Sequence, residues 1–132
     1  MLKGFDHLAI TVADLERCCA FYERLFGLRA VNEKNVGDKV AVRQVIIGGG
    51  AKLSIHQANN GLQLVARQPT PGSADFCMTW GDKIETAVAL LKKHGITIVD
   101  GPSPRRDANE NPSLSVYFLD PDGNLVELMA PA

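Results

Sequence analysis

Residues 5–28, FDHLAITVADLERCCAFYERLFGL, contain the pattern that decides the fold. Apolar side chains alternate with other side chains from 5 to 12, which predicts a half-buried strand. Asp14 then stands where a helix cap is expected, and helical apolar spacing continues from Leu15 to Phe26 until Gly27 stops it. The stretch therefore predicts a strand that leads directly into an amphipathic helix.

The rest of the chain predicts two modules with the element order βαβββ. In the first module, three further segments have strand character and are separated by polar or glycine-rich turns: 28–33, 40–47 and 52–57. The second half repeats this order with strands at 74–80, 96–99, 114–119 and 124–129, a helix at 84–94, and a loop at 101–112. We therefore predict an α+β fold in which two paired βαβββ modules form a curved mixed sheet around a cleft.

An internal repeat supports the duplication. A shift of 68 positions brings the cap Asp14 onto Asp82, where Glu85 completes a capping box, and brings the helix stop Gly27 onto Gly95. These positions fix where each helix begins and ends. We predict a single domain over residues 1–132, with module one at 1–60, a linker at 61–73 and module two at 74–132.

The composition argues against several classes of function. The 132 residues include 14 Lys and Arg against 15 Asp and Glu, so neither nucleic acid nor a membrane surface is an expected partner. Three cysteines without a CxxC spacing, and an N-terminal segment without a long apolar run, are typical of a cytoplasmic protein. A small molecule is the expected partner.

Four polar residues take similar places in the two modules. His7 and Asp75 lie near the start of the first strands, and His56 and Glu127 lie in the fourth strands. All four fall on the face opposite the apolar side chains. Two imidazoles and two carboxylates suit a divalent metal ion with open coordination positions. The pattern favours a metal site if the modules bring these side chains together.

Three groups of segments carry a family resemblance: DHLAITV at 6–12, FYE at 21–23 with FGL at 26–28, and DPDGNLVEL at 120–128. They resemble the vicinal oxygen chelate superfamily, which includes glyoxalase I, extradiol dioxygenases, methylmalonyl-CoA epimerase, and fosfomycin- and bleomycin-resistance proteins. More narrowly, IHQ at 55–57 and RQPTPGSAD at 67–75 resemble small glyoxalase-domain proteins that include a bacterial virulence-associated subgroup. The resemblance covers essentially the whole chain.

The resemblance implies a divalent metal ion at the centre of the cleft and a homodimer. By position, His7, His56 and Glu127 match metal ligands of the superfamily, and the ion expected is Zn, Ni, Co, Mn or Fe. Asp75 stands where many relatives have a histidine, which departs from the two-histidine iron site of extradiol dioxygenases. Glu127 is the candidate base that removes a proton next to a carbonyl, and Asp75 is the second candidate.

The leading functional hypothesis is a metal-dependent lyase or isomerase that resembles glyoxalase I. It would act on a small vicinal-oxygen substrate by proton abstraction and enediolate stabilisation. Arg43 and Tyr117, with the loop pair Arg105 and Arg106, are candidates to orient an anionic substrate. The alternatives are an extradiol-type dioxygenase and a resistance protein that binds a drug without chemistry.

Overall fold

Two four-stranded mixed sheets, each with one helix, make up the fold. The computed structural model describes all 132 residues and divides them into two compact units, which we call unit 1 (Met1–Ser73) and unit 2 (Ala74–Ala132). Unit 2 begins at the first residue of the predicted module two. The α+β class and the order βαβββ in each half are therefore confirmed.

Unit 1 consists of β1 (His7–Val12), α1 (Leu15–Phe26), β2 (Ala30–Val36), β3 (Lys39–Gly48) and β4 (Ala51–Gln57). Its strands lie in the order β1-β4-β3-β2, with β1 and β4 parallel and the other neighbours antiparallel. The apolar stripe of α1 packs on β3 and β4, so one face of the sheet is buried and the opposite face is left to polar side chains.

The predicted ends of α1 are confirmed. The Asp14 carboxylate accepts a hydrogen bond from the Arg17 N–H at 3.1 Å, which satisfies one of the free donors of the first turn. Gly27 ends the helix in the left-handed conformation, with φ of 64°. Residues with a β-carbon rarely adopt this conformation, which explains why a glycine stands at the helix end.

Unit 2 consists of β5 (Asp75–Thr79), α2 (Ile84–Lys93), β6 (Ile98–Arg106), β7 (Pro112–Leu119) and β8 (Leu125–Pro131). Its sheet has the equivalent order β5-β8-β7-β6, again with the first pair parallel. The face toward α2 is apolar, and Phe118, Val126 and Leu128 are almost completely buried there. Neither α1 nor α2 has the length and apolar character of a membrane-spanning helix.

The structure corrects three element boundaries. β2 extends to Val36, and β6 extends to Arg106 through residues that were predicted to form a loop. The prolines of β6 are tolerated because β6 is an edge strand, which needs no second set of backbone donors. α2 begins after Lys83 without a side-chain cap, because the Asp82 carboxylate accepts only from the adjacent Lys83 N–H.

Candidate functional site

Three of the predicted site residues lie on the face of the unit 2 sheet opposite α2. Glu127 on β8 pairs directly with Cys77 on β5 and with Tyr117 on β7. Paired residues in a sheet point to the same side, and Asp75 shares that side because it precedes Cys77 by two residues. The strand pairing thus brings Asp75, Tyr117 and Glu127 onto one face, which we call the unit 2 polar face.

One carboxylate oxygen of Glu127 is buried and has no hydrogen-bond partner. This atom, Oε1, is one of two buried side-chain polar atoms in the chain that lack a partner. Removing a carboxylate oxygen from water without a compensating donor is strongly unfavourable. A cation would supply the missing partner, so the donor set of the unit 2 polar face fits a metal ion.

Tyr117 is held as a hydrogen-bond donor beside Glu127. The Arg105 Nε donates to the Tyr117 hydroxyl at 2.8 Å, and the guanidinium carbon lies 5.3 Å from the centre of the phenol ring. Desolvation, with the Glu127 carboxylate nearby, raises the pKa of Tyr117 although Arg105 opposes this. The phenol therefore stays protonated at neutral pH, and its O–H is directed at the Glu127 carboxylate. Arg106 is engaged elsewhere, since it donates to the Glu110 carbonyl at 2.7 Å.

Cys77 is poorly suited to act as a nucleophile. Desolvation and the neighbouring Glu127 and Asp75 carboxylates raise the pKa of its thiol to about 12. The reactive form of cysteine is the thiolate, which is almost absent at neutral pH under these conditions. Cys77 is exposed, because it lies on the polar face of β5.

His7 in unit 1 has a carboxylate partner on one of its ring nitrogens. Its Nδ1 lies 2.7 Å from a carboxylate oxygen of Asp6, and the His7 side chain is 47% exposed. The hydrogen bond from His7, together with the Lys52 charge, lowers the pKa of Asp6, so the carboxylate is ionised and Nδ1 carries the proton. A carboxylate on the second ring nitrogen is the usual partner of a metal-bound histidine.

His56 lies on the same face of the unit 1 sheet as His7 but further along the strands. Its Nε2 is 3.3 Å from the Ser54 hydroxyl. Burial, with the His7 and Lys34 charges, lowers the pKa of His56. The imidazole is therefore neutral at pH 7.

The strand register contradicts the view that His56 and Glu127 take equivalent places. Asp75 pairs with Leu125, so Glu127 lies two residues beyond the partner of Asp75. His7 pairs with Lys52, so the counterpart of Glu127 is Ser54, and His56 lies four residues beyond the partner of His7. Four residues span about 13 Å along a strand. Two imidazoles on one ion hold their nitrogens within about 4 Å of each other, so His7 and His56 are poorly placed to share one.

The prediction that Arg43 orients substrate is not supported. Arg43 lies on the face that packs on α1, where its two Nη atoms each donate to the Glu16 carboxylate at 2.8 Å. Its Nε donates to Glu33 at 2.8 Å. The guanidinium is thereby committed to two carboxylates on the side of the sheet opposite His56, and the side chain is only 14% exposed.

Replacement of Arg43 by alanine should destabilise unit 1 without affecting metal or substrate binding. Loss of the paired hydrogen bonds lowers the free energy of unfolding by about 1 to 2 kcal/mol at pH 7. The Arg43 hydrogen bond lowers the pKa of Glu16, so its contribution is complete above the ordinary pKa of glutamate and disappears as the pH falls through the lowered value. Urea unfolding at several pH values measures this, with the exposed Arg29→Ala as control; equal stability of the two variants at pH 7 would contradict the interpretation.

Two serines were missed in the sequence, Ser54 and Ser115. Ser54 contacts His56, and the Oγ of Ser115 is the other buried polar atom without a partner. Alternation was a usable signal, since each serine lies two residues from a candidate site residue and so shares its face. Within neither unit do three or more His, Cys, Asp or Glu side chains gather in a metal-binding geometry.

Known proteins resemble the chain over nearly its whole length. Virulence protein STM3117 of Salmonella typhimurium is 38% identical over 128 residues, covering 97% of this chain and 84% of the relative. The crystal structure of STM3117 matches with a TM-score of 0.87 at 34% identity, over 100% of this chain and 99% of that one.

Two further relatives have informative names. Glyoxalase domain-containing protein RDO1 of Mycosarcoma maydis is 38% identical over 127 residues, which are 96% of this chain and 68% of the relative. Metallothiol transferase FosB of Lysinibacillus sphaericus is 27% identical over 126 residues, which are 96% of this chain and 81% of the relative.

The family comparison agrees with the resemblance seen in the sequence. The model of the Glyoxalase/Bleomycin resistance protein/Dioxygenase superfamily matches residues 4–128. Because this match spans nearly the entire chain, and because both units have the βαβββ order, the protein belongs to the Glyoxalase/Bleomycin resistance protein/Dioxygenase superfamily.

Proposed function

We propose that the protein is a metal-dependent enzyme that acts on a small molecule with vicinal oxygens, with His7, Asp75 and Glu127 as metal ligands. The observation that supports this most strongly is the buried, unpartnered Oε1 of Glu127. A buried carboxylate oxygen without a hydrogen-bond partner destabilises the protein unless a cation or a donor completes it. The active form in this proposal is a homodimer in the cytoplasm.

The ligand set differs from the set expected from the sequence in one residue. His7 and Asp75 begin the first strands of their units at matching positions, and Glu127 lies on the same face as Asp75, two residues beyond Leu125, the β8 partner of Asp75. Asp75 takes the place of His56 in the set, because His56 lies four residues along β4 from the partner of His7. One imidazole and two carboxylates are hard and intermediate donors, which suit Mn, Fe, Co, Ni and Zn.

The bound ion would supply Lewis-acid polarisation of a substrate oxygen. The residues of the chain perform the remaining tasks. The Glu127 carboxylate accepts a proton from the carbon next to a carbonyl, with Asp75 on the same face as the second acceptor. Tyr117, held by Arg105, would turn its O–H from the Glu127 carboxylate to a substrate oxygen. These roles correspond to a lyase or isomerase of the glyoxalase I type.

Thiol transfer is a second candidate reaction. FosB is named a metallothiol transferase, and the similarity covers 96% of this chain and 81% of FosB. The same donor set serves both reactions, since each needs a substrate oxygen polarised while a nucleophile or base approaches. The chain does not supply the thiol in this case, because the raised pKa of Cys77 keeps its sulfur protonated. An added low-molecular-weight thiol is required.

Metal binding by two histidine variants tests the ligand set. His7→Ala should weaken binding of Mn²⁺ or Zn²⁺ by at least about 100-fold, because it removes a direct ligand. His56→Ala is the matched control and should bind the ion within about 2-fold of wild type. Isothermal titration of the chelator-treated protein measures both. The proposed ligand set is wrong if His56→Ala loses the metal and His7→Ala keeps it.

Three assays on the metal-loaded protein separate the reactions. Turnover of methylglyoxal–thiol adducts supports the lyase. Consumption of a free thiol with an electrophilic substrate supports transfer, and oxygen consumption with a catechol supports the dioxygenase. Absence of stoichiometric metal from protein purified without chelators, together with failure to bind added metal, would overturn the enzyme proposal in favour of a drug-binding protein.

A further inference from the structure

A cavity of about 460 Å³ lies at one end of the unit 1 sheet, and we call it the unit 1 end cavity. Its lining comes from the end of β2, the start of β3 and the segment that leaves β4: Val36, Lys39, Val40, Ala41, Gln57, Ala58, Asn59 and Asn60. Cavities that hold small molecules measure about 300 to 1,000 Å³. Gln57 lies five residues beyond Lys52, the β4 partner of His7, which corresponds to about 17 Å along the strand. The cavity and His7 are therefore at opposite ends of β4.

Two of the four polar side chains that line the cavity serve the fold. The Gln57 Oε1 accepts from the Leu15 N–H at 2.9 Å, and the Gln57 Nε2 donates to the Ala13 carbonyl at 2.7 Å. These two bonds tie the end of β4 to the start of α1. The Asn60 Oδ1 accepts from the Leu62 N–H at 2.8 Å, which fixes the segment that follows β4. One wall of the cavity is thus held in place by its own side-chain amides.

The other two polar side chains, those of Lys39 and Asn59, have no partner. Both residues are exposed, and neither side chain makes a hydrogen bond or an ion pair. No carboxylate lines the cavity, and the adjacent Asp38 does not form an ion pair with Lys39. Asn59 also has a left-handed backbone with φ of 56°, which residues with a β-carbon rarely adopt. An ammonium and an amide without partners suit a ligand carboxylate, because both groups donate to its oxygens.

The apolar part of the lining consists of small aliphatic side chains: Val36, Val40, Ala41 and Ala58. Val36 is 40% exposed although it is apolar. No aromatic ring lines the cavity, so a planar aromatic ligand would find no stacking partner there. A flexible alkyl chain needs only apolar surface to cover, which these side chains supply.

We propose that the unit 1 end cavity binds a medium-chain aliphatic carboxylate. The carboxylate lies at Lys39 and Asn59, and the alkyl chain covers Val36, Val40 and Ala58. This site goes beyond the proposed function, since it uses neither a metal ion nor any of the candidate ligands. The chain then has a second small-molecule site, which recognises one negative charge and an apolar tail.

Three probes of defined charge and length test the site. Sodium octanoate, sodium hexanoate and octylammonium chloride are titrated by calorimetry into the full chain, below their micellar range. We expect octanoate to bind about 10-fold more tightly than hexanoate, because two methylene groups of the tail are lost. Octylammonium has the same tail with the opposite charge and should bind more weakly than octanoate. Failure of octanoate to bind, or octylammonium binding as tightly, would overturn the proposal.

Two pairs of variants locate the bound octanoate. Ala58→Leu fills part of the cavity and should weaken octanoate binding at least 10-fold, whereas Ala89→Leu makes the same change on the exposed face of α2 and should leave it unaffected. Lys39→Gln should weaken binding about 3-fold to 5-fold, with the exposed Lys93→Gln as its charge-matched control. Undiminished binding by both Ala58→Leu and Lys39→Gln would show that octanoate binds elsewhere.

A third variant keeps the test valid if Ala58→Leu does not fold. Asn59→Gly suits the left-handed backbone, so it preserves the loop while it removes the side-chain amide. It should weaken octanoate binding by several fold without lowering the unfolding temperature. Octanoate binding equal to that of wild type would remove Asn59 from the site.

Titrations with and without Mn²⁺ separate this site from the metal proposal. The octanoate affinity of chelator-treated protein should equal that of protein loaded with one equivalent of Mn²⁺. Binding that requires Mn²⁺ would place the carboxylate on the metal ion and overturn the site. A protein that binds octanoate in a Lys39-dependent manner but binds no metal keeps this site and loses the proposed function.

Discussion

Replacement of Glu127 by glutamine should abolish metal-dependent turnover and leave the fold at least as stable as wild type. The amide keeps the shape of the side chain but removes the charge that binds the ion and the basic oxygen that accepts the proton. General-base residues contribute about 10² to 10⁴-fold to rate, so we expect a loss in this range or greater. Metal content by mass spectrometry and turnover of methylglyoxal–thiol adducts measure the effect.

Stability distinguishes a functional role of Glu127 from a structural one. Its Oε1 is buried without a partner, so removal of the charge relieves an unfavourable desolvation. The unfolding temperature of Glu127→Gln in the metal-free state should therefore equal or exceed that of wild type. The matched control is Glu110→Gln, an exposed residue of the same unit, which should retain metal and turnover. Retention of metal and full turnover by Glu127→Gln would refute the proposal.

Replacement of Asn124 by alanine should be among the most destabilising single changes in the chain. Asn124 is completely buried, and its side-chain N–H donates to the Asp120 carboxylate at 2.8 Å. Its side-chain oxygen accepts from the Ala74 N–H at 2.9 Å. The variant removes one hydrogen bond from a buried carboxylate and the acceptor of the Ala74 N–H, so the free energy of unfolding should fall by about 2 to 4 kcal/mol.

The same amide determines where the candidate ligands lie. Ala74 directly precedes β5, and Asn124 directly precedes β8, so their hydrogen bond holds the starts of the two parallel strands together. Asp75 and Glu127 follow within three residues of these anchors. Urea unfolding measures the stability change, with Asn109→Ala in an exposed loop as control. Asn124→Asp should be less stable than Asn124→Ala, because it places a second carboxylate against Asp120. If Asn124→Ala is as stable as wild type, the Asn124 amide does not hold these strands together.

The sequence was most informative where a local pattern has a single structural meaning. Alternation assigned the faces of β1, β5 and β8, and therefore predicted that Asp75 and Glu127 share a face. The pair Asp14 and Gly27 predicted both ends of α1, because a cap and a left-handed glycine act within one turn. The segment at 120–128 also identified the superfamily, which the family match confirms.

Local patterns did not predict the position of a side chain where that position depends on a neighbouring strand. Alternation states which face a residue takes but not which residue lies beside it, so the offset of His56 from His7 could not be read from the sequence. Both faces of β3 are largely apolar, so alternation could not assign Arg43 to either face of the sheet. Its ion pairs with Glu16 and Glu33 show that the side chain lies on the face toward α1. The prolines of β6 indicated a loop, and pairing with β7 overrides that preference.

The sequence by itself determined the α+β class, the duplication, the family and the polar face that carries Asp75 and Glu127, because periodicity, caps and turns are encoded within a few adjacent residues. Only the tertiary structure decided the register and the burial. Strand pairing makes Ser54, rather than His56, the unit 1 counterpart of Glu127. The packing of the sheet buries the Ser115 hydroxyl and the Glu127 Oε1 without hydrogen-bond partners. Desolvation depends on what packs around an atom from distant parts of the chain, and these unpartnered atoms identify the site to be tested.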